Sequence, residues 1–232
     1  MNIFKYNIIT HNLQIQNSTM FLSDKIQKEY IENKGYGFIA NSNIKKNDII
    51  LIDNHINTIT NSNYIVLDTV YELLRQNEEV KKRYELLCPF KEDKYFCNKS
   101  KLKKEIIEFD KITKSRLSQF DIDTICIYIE KYKRNAFNIA KHDTLNKKKD
   151  KIVPGVFLNG AVFNHSCDPN VSCVYRDNQM YYITNKNIKK GEELCISYIN
   201  VCDSTQKRQK ELLERYGFKC ECNACTKELF IK

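Results

Sequence analysis

From Lys25 onward the apolar positions come in short runs separated by turn residues. Ile26, Tyr30 and Ile31 precede a turn at Lys34-Gly35-Tyr36-Gly37, and Phe38 and Ile39 open a second strand. Asn41-Ser42-Asn43 and Lys45-Lys46-Asn47-Asp48 read as turns, and Ile49-Ile50-Leu51-Ile52 as a buried strand. The rhythm then becomes helical. Val70, Leu73, Leu74, Val80, Tyr84 and Leu87 recur at roughly helical spacing. A second helix is expected near 102–109, and a third over 122–139, striped by Ile122, Ile125, Ile129 and Tyr132. These stripes read as core, not as ligand sites. The polar run 141–151 reads as a mobile loop. Strand signals return after Val153. Segments 171–175 and 180–184 flank Asp177-Asn178 as a hairpin, and 194–198 follows the Lys190-Gly191 turn as another strand. Asp203 with Gln206 is expected to cap a helix running to about Tyr216. The first 23 residues carry no strong period.

Composition adds constraints. The chain has 232 residues, 42% hydrophobic and 29% charged, which suits a globular protein. No apolar run approaches the roughly 18 residues of a membrane span, and the first residues lack the apolar core of a secretory leader. Net charge is +9. Runs such as Lys147-Lys148-Lys149 read as a solvated surface. No repeated finger or aromatic-basic ladder supports direct nucleic-acid binding. Ten cysteines in a chain of this length point to a reduced, intracellular protein with some thiolates spent on metal. Six of them, Cys88, Cys97, Cys126, Cys173, Cys195 and Cys202, are expected to fill core space.

Cys220-x-Cys222-x-x-Cys225 places three soft ligands within six residues. Zinc takes four in a tetrahedron, so a closed site needs a donor from elsewhere in the chain. Upstream stand Asn164-His165-Ser166-Cys167-Asp168-Pro169-Asn170 and Gly191-Glu192-Glu193-Leu194-Cys195-Ile196-Ser197-Tyr198.

In this order and spacing the three segments resemble the catalytic half of a SET-domain protein lysine methyltransferase, nearest to the SMYD (SET-and-MYND) type. The resemblance implies an α+β fold, mainly β, with small sheets around a knot-like core, a helical insert and a zinc-bound post-SET tail. It implies S-adenosylmethionine as cofactor and a protein substrate presenting a lysine, from a histone tail or another protein. It makes Tyr198 the active-site tyrosine and Cys167 the fourth ligand, beside Cys220, Cys222 and Cys225, of one structural zinc ion. The lysine channel would be walled by Tyr198, Tyr216 and Phe137, the last in an Asn135-Ala136-Phe137 element. The cofactor would meet Lys34, Gly35, Tyr36 and Gly37 of the Gly-x-Gly turn, together with Asn135, Asn164, His165, Tyr198 and Phe218.

The match spans about 25–53 and 135–225. The expected parts are N-terminal SET strands at 25–53, a helical insert at 54–134, a C-terminal SET core at 135–203, and a post-SET helix and zinc tail at 204–226. The middle holds too few cysteines and histidines for a MYND finger, and the C-terminal helical half of SMYD proteins is not represented. A monomer placed in nucleus or cytoplasm is expected. The competing reading is a catalytically inactive SET-fold module that binds a protein partner and uses zinc only for shape.

Overall fold

The computed structural model of the chain describes residues 20–56, 64–88, 98–141 and 151–226. The expectations for 1–19, for Cys97, for Lys147-Lys148-Lys149 and for most of the polar run 141–151 lie outside these residues. Backbone packing divides the chain into two units, Met1–Asn54 with Val162–Lys232, and His55–Ala161.

The first unit opens with β1 (Phe21–Leu22), β2 (Ile26–Ile31), β3 (Gly35–Ala40) and β4 (Ile49–Asn54). The second contains α1 (Ile65–Leu74), α2 (Glu78–Glu85), α3 (Lys99–Thr113), α4 (Ile122–Asn135), β5 (Ala136–Lys141) and β6 (Lys151–Val156). The chain then returns to the first unit with β7 (Asn164–His165), β8 (Val171–Arg176), β9 (Gln179–Thr184), β10 (Glu193–Ile196), α5 (Thr205–Tyr216) and α6 (Asn223–Thr226).

Two four-stranded sheets make up the first unit, in the orders β1-β4-β9-β8 and β2-β3-β10-β7. The β8–β9 hairpin turns at Asp177 and Asn178, both in the left-handed region with φ of 51° and 63°. Asp and Asn tolerate that conformation, and it matches the twist of the flanking strands. Gly35 and Gly37 of β3 face inward while Tyr36 is exposed, as the two-residue period requires. β7 pairs in parallel with β10, Asn164 opposite Cys195 and His165 opposite Ile196. This short ladder brings the two upstream motifs together.

In the helical unit the stripe from Val70 to Leu87 proves to be two helices. Asn77 interrupts it, its side chain accepting from the Val80 amide as the cap of α2. Val70, Leu73, Tyr84, Phe109, Leu117 and Ile125 are buried in one core, each worth roughly 1.5–3 kcal/mol of transfer free energy. The helix expected over 122–139 ends at Asn135, because the backbone becomes extended at Ala136 and pairs with Val156. Ile139 is therefore buried from a strand. Its spacing fitted either element. Cys126 is buried but disulfide-bonded, and Cys88 and Cys202 are exposed thiols. Those three depart from the expectation of core-filling thiols.

Helix α5 is capped by Ser204, whose hydroxyl accepts from the Lys207 amide, and not by Asp203. The Asp203 carboxylate pairs instead with Lys207 at 3.0 Å. Gly217 ends the helix with φ of 81°, its amide donating to Leu212 and Leu213.

Candidate active site and metal centre

The candidate ligand end begins at the Gly-x-Gly segment, which forms the start of β3 and not the turn expected over 34–37, because Gly35 already pairs with Ile31 and the chain reverses over 32–34. Asn33 and Gly35 take positive φ and reverse the chain. A Cβ at Gly37 would fall 2.6 Å from Asn164 Nδ2, so only glycine lets β3 approach β7 this closely. Asn164 Nδ2 donates to Glu193 Oε1 at 2.9 Å, and the other oxygen of Glu193 is ion-paired with Lys34. Partial burial opposes the charge of Lys34, but the hydrogen bond and attraction of Glu193 outweigh it and hold its pKa above the usual value. The Tyr36 side chain is turned to the outer face, packed edge-on against Tyr30 and lying under the Lys28 ammonium. Any role for Tyr36 at the ligand side falls to its backbone.

Tyr198 lies just beyond β10 and is fixed at both ends. Its amide donates to His165 Nδ1 at 3.0 Å, and its hydroxyl donates to the Phe163 carbonyl at 2.6 Å. Ser197 braces the loop by donating to the Ile199 carbonyl. Tyr216 stands 5.0 Å from Tyr198 between ring centres, and its hydroxyl donates to the Tyr198 carbonyl at 3.3 Å. Phe218 completes the aromatic group, 6.1 Å from the His165 ring and 6.5 Å from Tyr216. Burial, with the Arg208 charge nearby, lowers the His165 pKa to about 4, so the ring is neutral at physiological pH.

Behind His165 is the thiol cluster. The sulfurs of Cys167, Cys220, Cys222 and Cys225 all lie within 4.8 Å of one another, with Cys167 3.5 Å from Cys225 and 4.0 Å from Cys220. A tetrahedral zinc with bonds of about 2.3 Å sets its sulfurs roughly 3.8 Å apart. The donor set and its spacing thus fit a closed structural zinc site. Gln209 clamps the Cys220 backbone from both sides, donating to its carbonyl and accepting from its amide. Arg208 is only 6% exposed. It donates to the Asp203 carbonyl and to Thr205 Oγ1, and its Nη2 lies 3.9 Å from Cys225 Sγ.

Within the first unit the structure therefore brings together Lys34, Gly37, Asn164, His165, Tyr198, Tyr216, Phe218 and the four cysteines. Asn135 and Phe137 belong to the helical unit. There the Asn135 amide donates to the Cys88 and Lys131 carbonyls, and Phe137 packs edge-on against Phe157. Three residues of the first unit escaped the sequence reading. Glu193 lies inside its motif. Asn170 ends the Asn-His-Ser-Cys string and grips β10 through the Glu193 carbonyl and the Cys195 amide. Arg208 shares a helical stripe with Leu212 and Tyr216, the only available signal of its burial.

Comparison with known proteins follows the same lines. A SET domain model matches residues 35–199. A SET domain-containing protein of Acanthamoeba polyphaga mimivirus is 33% identical over 217 residues, covering 89% of this chain and 79% of that one. Human histone-lysine N-methyltransferase SMYD3 is 32% identical over 91 residues, or 39% of this chain and 20% of that one. Histone-lysine N-methyltransferase set5 of Schizosaccharomyces pombe is 41% identical over 81 residues, or 34% and 25%. The matched segment is thus a quarter or less of either methyltransferase. Among solved structures, the SET domain of LSMT bound to methyl-lysine and AdoHcy superposes with a TM-score of 0.59 at 16% identity, covering 87% of this chain and 54% of that one. Rubisco LSMT bound to AdoMet gives 0.56 at 19% identity, covering 85% and 52%. The fold is the SET fold, and the chain belongs to the SET-domain family.

Proposed function

We propose that this chain is an S-adenosylmethionine-dependent protein-lysine N-methyltransferase, acting on a histone tail or another lysine-bearing protein. The observation that carries the reading is the seat of Tyr198. Its hydroxyl donates to the Phe163 carbonyl and its amide to His165 Nδ1, which fixes ring and hydroxyl in one place beside Tyr216, as alignment of a reacting amine requires.

The cofactor, when bound, supplies a methyl group on a positive sulfur, which a neutral lysine amine can take with no strong acid required. The chain's own residues have to hold and align the partners, and alignment supplies much of the acceleration. Asn164, with Nδ2 given to Glu193, has Oδ1 left to accept from an ammonium group. Lys34 offers a cation to a carboxylate, and its ion pair with Glu193 would be shared or exchanged on binding. Gly37 leaves the space that close backbone approach needs. Tyr198 and Tyr216 present aromatic faces to the aliphatic stem of a lysine and to any methylated ammonium. His165, neutral and buried, adds no positive charge beside the amine. Roles for Asn135 in cofactor binding and for Phe137 in the channel rest on their motif alone.

The four cysteines would hold one zinc ion that fixes the tail bearing Tyr216 and Phe218. A monomer inside the cell, in nucleus or cytoplasm, is part of the same reading. No helix among the described residues is long and apolar enough to cross a membrane.

The test is incubation of candidate proteins with methyl-labelled S-adenosylmethionine, read by mass spectrometry at individual lysines. Transfer to a lysine that disappears in Tyr198→Phe supports the reading. Tight cofactor binding without transfer to any protein would favour the inactive binding module.

A further inference from the structure

We infer that His165 is a positioning residue that ties the metal centre to the backbone of Tyr198. The inference deepens the methyltransferase reading and relies on it for one of the three measurements below.

An imidazole nitrogen that accepts a hydrogen bond carries no proton, which leaves the other ring nitrogen as the donor. Nδ1 of His165 faces the Tyr198 N–H at 3.0 Å, so Nδ1 has to be the acceptor. The ring proton is therefore on Nε2, which lies 3.3 Å from Cys167 Sγ. A metal-bound thiolate carries no proton and only accepts. Both neighbours thus demand the same tautomer, and neither hydrogen bond can form with the other one. The residue is 7% exposed, and its ring packs 5.3 Å from Tyr198.

A ring held at both nitrogens transmits position. A shift of the Cys167 sulfur moves Nε2, and through Nδ1 it moves the amide of the residue whose hydroxyl sits on the Phe163 carbonyl. The cysteine cluster then does more than fasten the tail. It sets where the tyrosine stands, through one side chain. Outer partners of metal ligands act in this way, fixing tautomer and orientation of what they touch.

Three measurements test this on the whole zinc-loaded protein. Long-range proton–nitrogen spectra of labelled histidine should show His165 protonated at Nε2 alone. Protonation at Nδ1 would overturn the inference, with no variant needed. Next, two substitutions separate the ends of the ring. The oxygen of Asn can replace Nδ1, and the amide nitrogen of Gln can replace Nε2–H. His165→Asn should release zinc to a chelating dye roughly 10–100-fold faster than wild type, and His165→Gln within about threefold of it. Turnover at saturating zinc and cofactor should fall in both, and further in His165→Gln. His165→Phe keeps the ring packing and loses both hydrogen bonds. If it released zinc at the wild-type rate, or if the Asn and Gln variants were alike in release and turnover, His165 would be packing only. Failure of the wild type to methylate anything would defeat the methyltransferase reading, while the spectra and release rates still decide this one.

Discussion

Phe163 accepts the Tyr198 hydroxyl on its main-chain oxygen at 2.6 Å, while its own ring stacks on Tyr182 at 4.9 Å. Both aromatic residues of that stack are fully buried. The position of the catalytic candidate is thus referred to the rigid interior of the sheet unit and not to a side chain that can rotate.

Tyr198→Phe should therefore separate turnover from folding. The ring packing against His165 and Tyr216 survives, and one hydrogen bond worth about 1 kcal/mol is lost. Misalignment of the reacting groups should lower turnover on the order of a hundredfold. Methylation assays beside thermal melts check this. A large drop in melting temperature with turnover nearly intact would be the contrary result.

Gly37→Ala should weaken cofactor binding without unfolding the sheet. The new Cβ would sit 2.6 Å from Asn164 Nδ2 and 2.6 Å from Ile31 Cδ1. Ile31 can turn its terminal methyl away, but Asn164 is tied to Glu193. Overpacking of this kind costs roughly 1–3 kcal/mol, or roughly 5- to 150-fold in affinity where the cost falls on the bound state. Calorimetric titration with S-adenosylmethionine measures it.

Asn164→Ala should weaken that titration more than Lys34→Ala does. Loss of Asn164 strands one Glu193 oxygen and removes the proposed ligand contact, roughly 1–3 kcal/mol. The Lys34 ammonium is about half exposed, and such pairs are worth about 1 kcal/mol or less. The reverse ranking would put the ligand's charged end at Lys34 and not at Asn164.

Arg208→Leu should loosen the zinc proposed for the four cysteines. Four thiolates around a divalent ion leave excess negative charge, and this buried guanidinium is the cation beside them. Burial opposes its charge, yet its contacts with Cys225 and Cys167 outweigh that and raise its pKa. Zinc release to a chelator should quicken by roughly tenfold or more. Arg208→Lys should rescue only in part, because an ammonium lacks the fork that reaches Asp203 and Thr205 together. Wild-type release in Arg208→Leu would reduce the residue to a helix brace.

Acid should weaken the helical unit through Asp110. Its carboxylate accepts from the amides of Leu117 and Ser118 and from the Ser115 hydroxyl. Partial burial raises its pKa, but these bonds, led by Ser118, outweigh it and hold the carboxyl below the usual range. A depressed folded pKa stabilises above the unfolded value near 4 and loses that stability as pH falls further. Asp110→Asn should be less stable than wild type at neutral pH, and the gap should narrow below about pH 4. Melting curves over that range would show it. A gap that is constant with pH would mean the bonds do not depend on charge.

Most strands of the first unit, the hairpin at Asp177-Asn178 and the three clustered tail thiols were legible because each has a local signature: period two, a turn dipeptide or ligand spacing. Cys167 and the Tyr198–Tyr216–Phe218 group were legible only through motif strings, and β5 and the two-residue β7 were not legible as strands. The end of α4 was not legible either, because Ile139 satisfies a helical stripe and a strand equally. Nor was the break at Asn77, where a single capping side chain decides. Glu193, Asn170 and Arg208 were missed for another reason. Glu193 and Asn170 work on groups far away in the chain, and Arg208 reaches the Cys225 thiol besides its local partners Asp203 and Thr205. A lone polar residue carries no mark of its distant partner.

β7 contains only two residues, and each looks out on a different world. Asn164 faces Gly37 and Glu193, and His165 faces Cys167 and the Tyr198 amide. The strand is a partition wall, with the proposed cofactor side on one face and the four-cysteine cluster on the other. Alternation along a strand makes this division obligatory. An insertion or deletion of one residue that shifted β7 against β10 would exchange the occupants of both rooms at a stroke. Drift in this segment can therefore proceed by substitution but not by change of length.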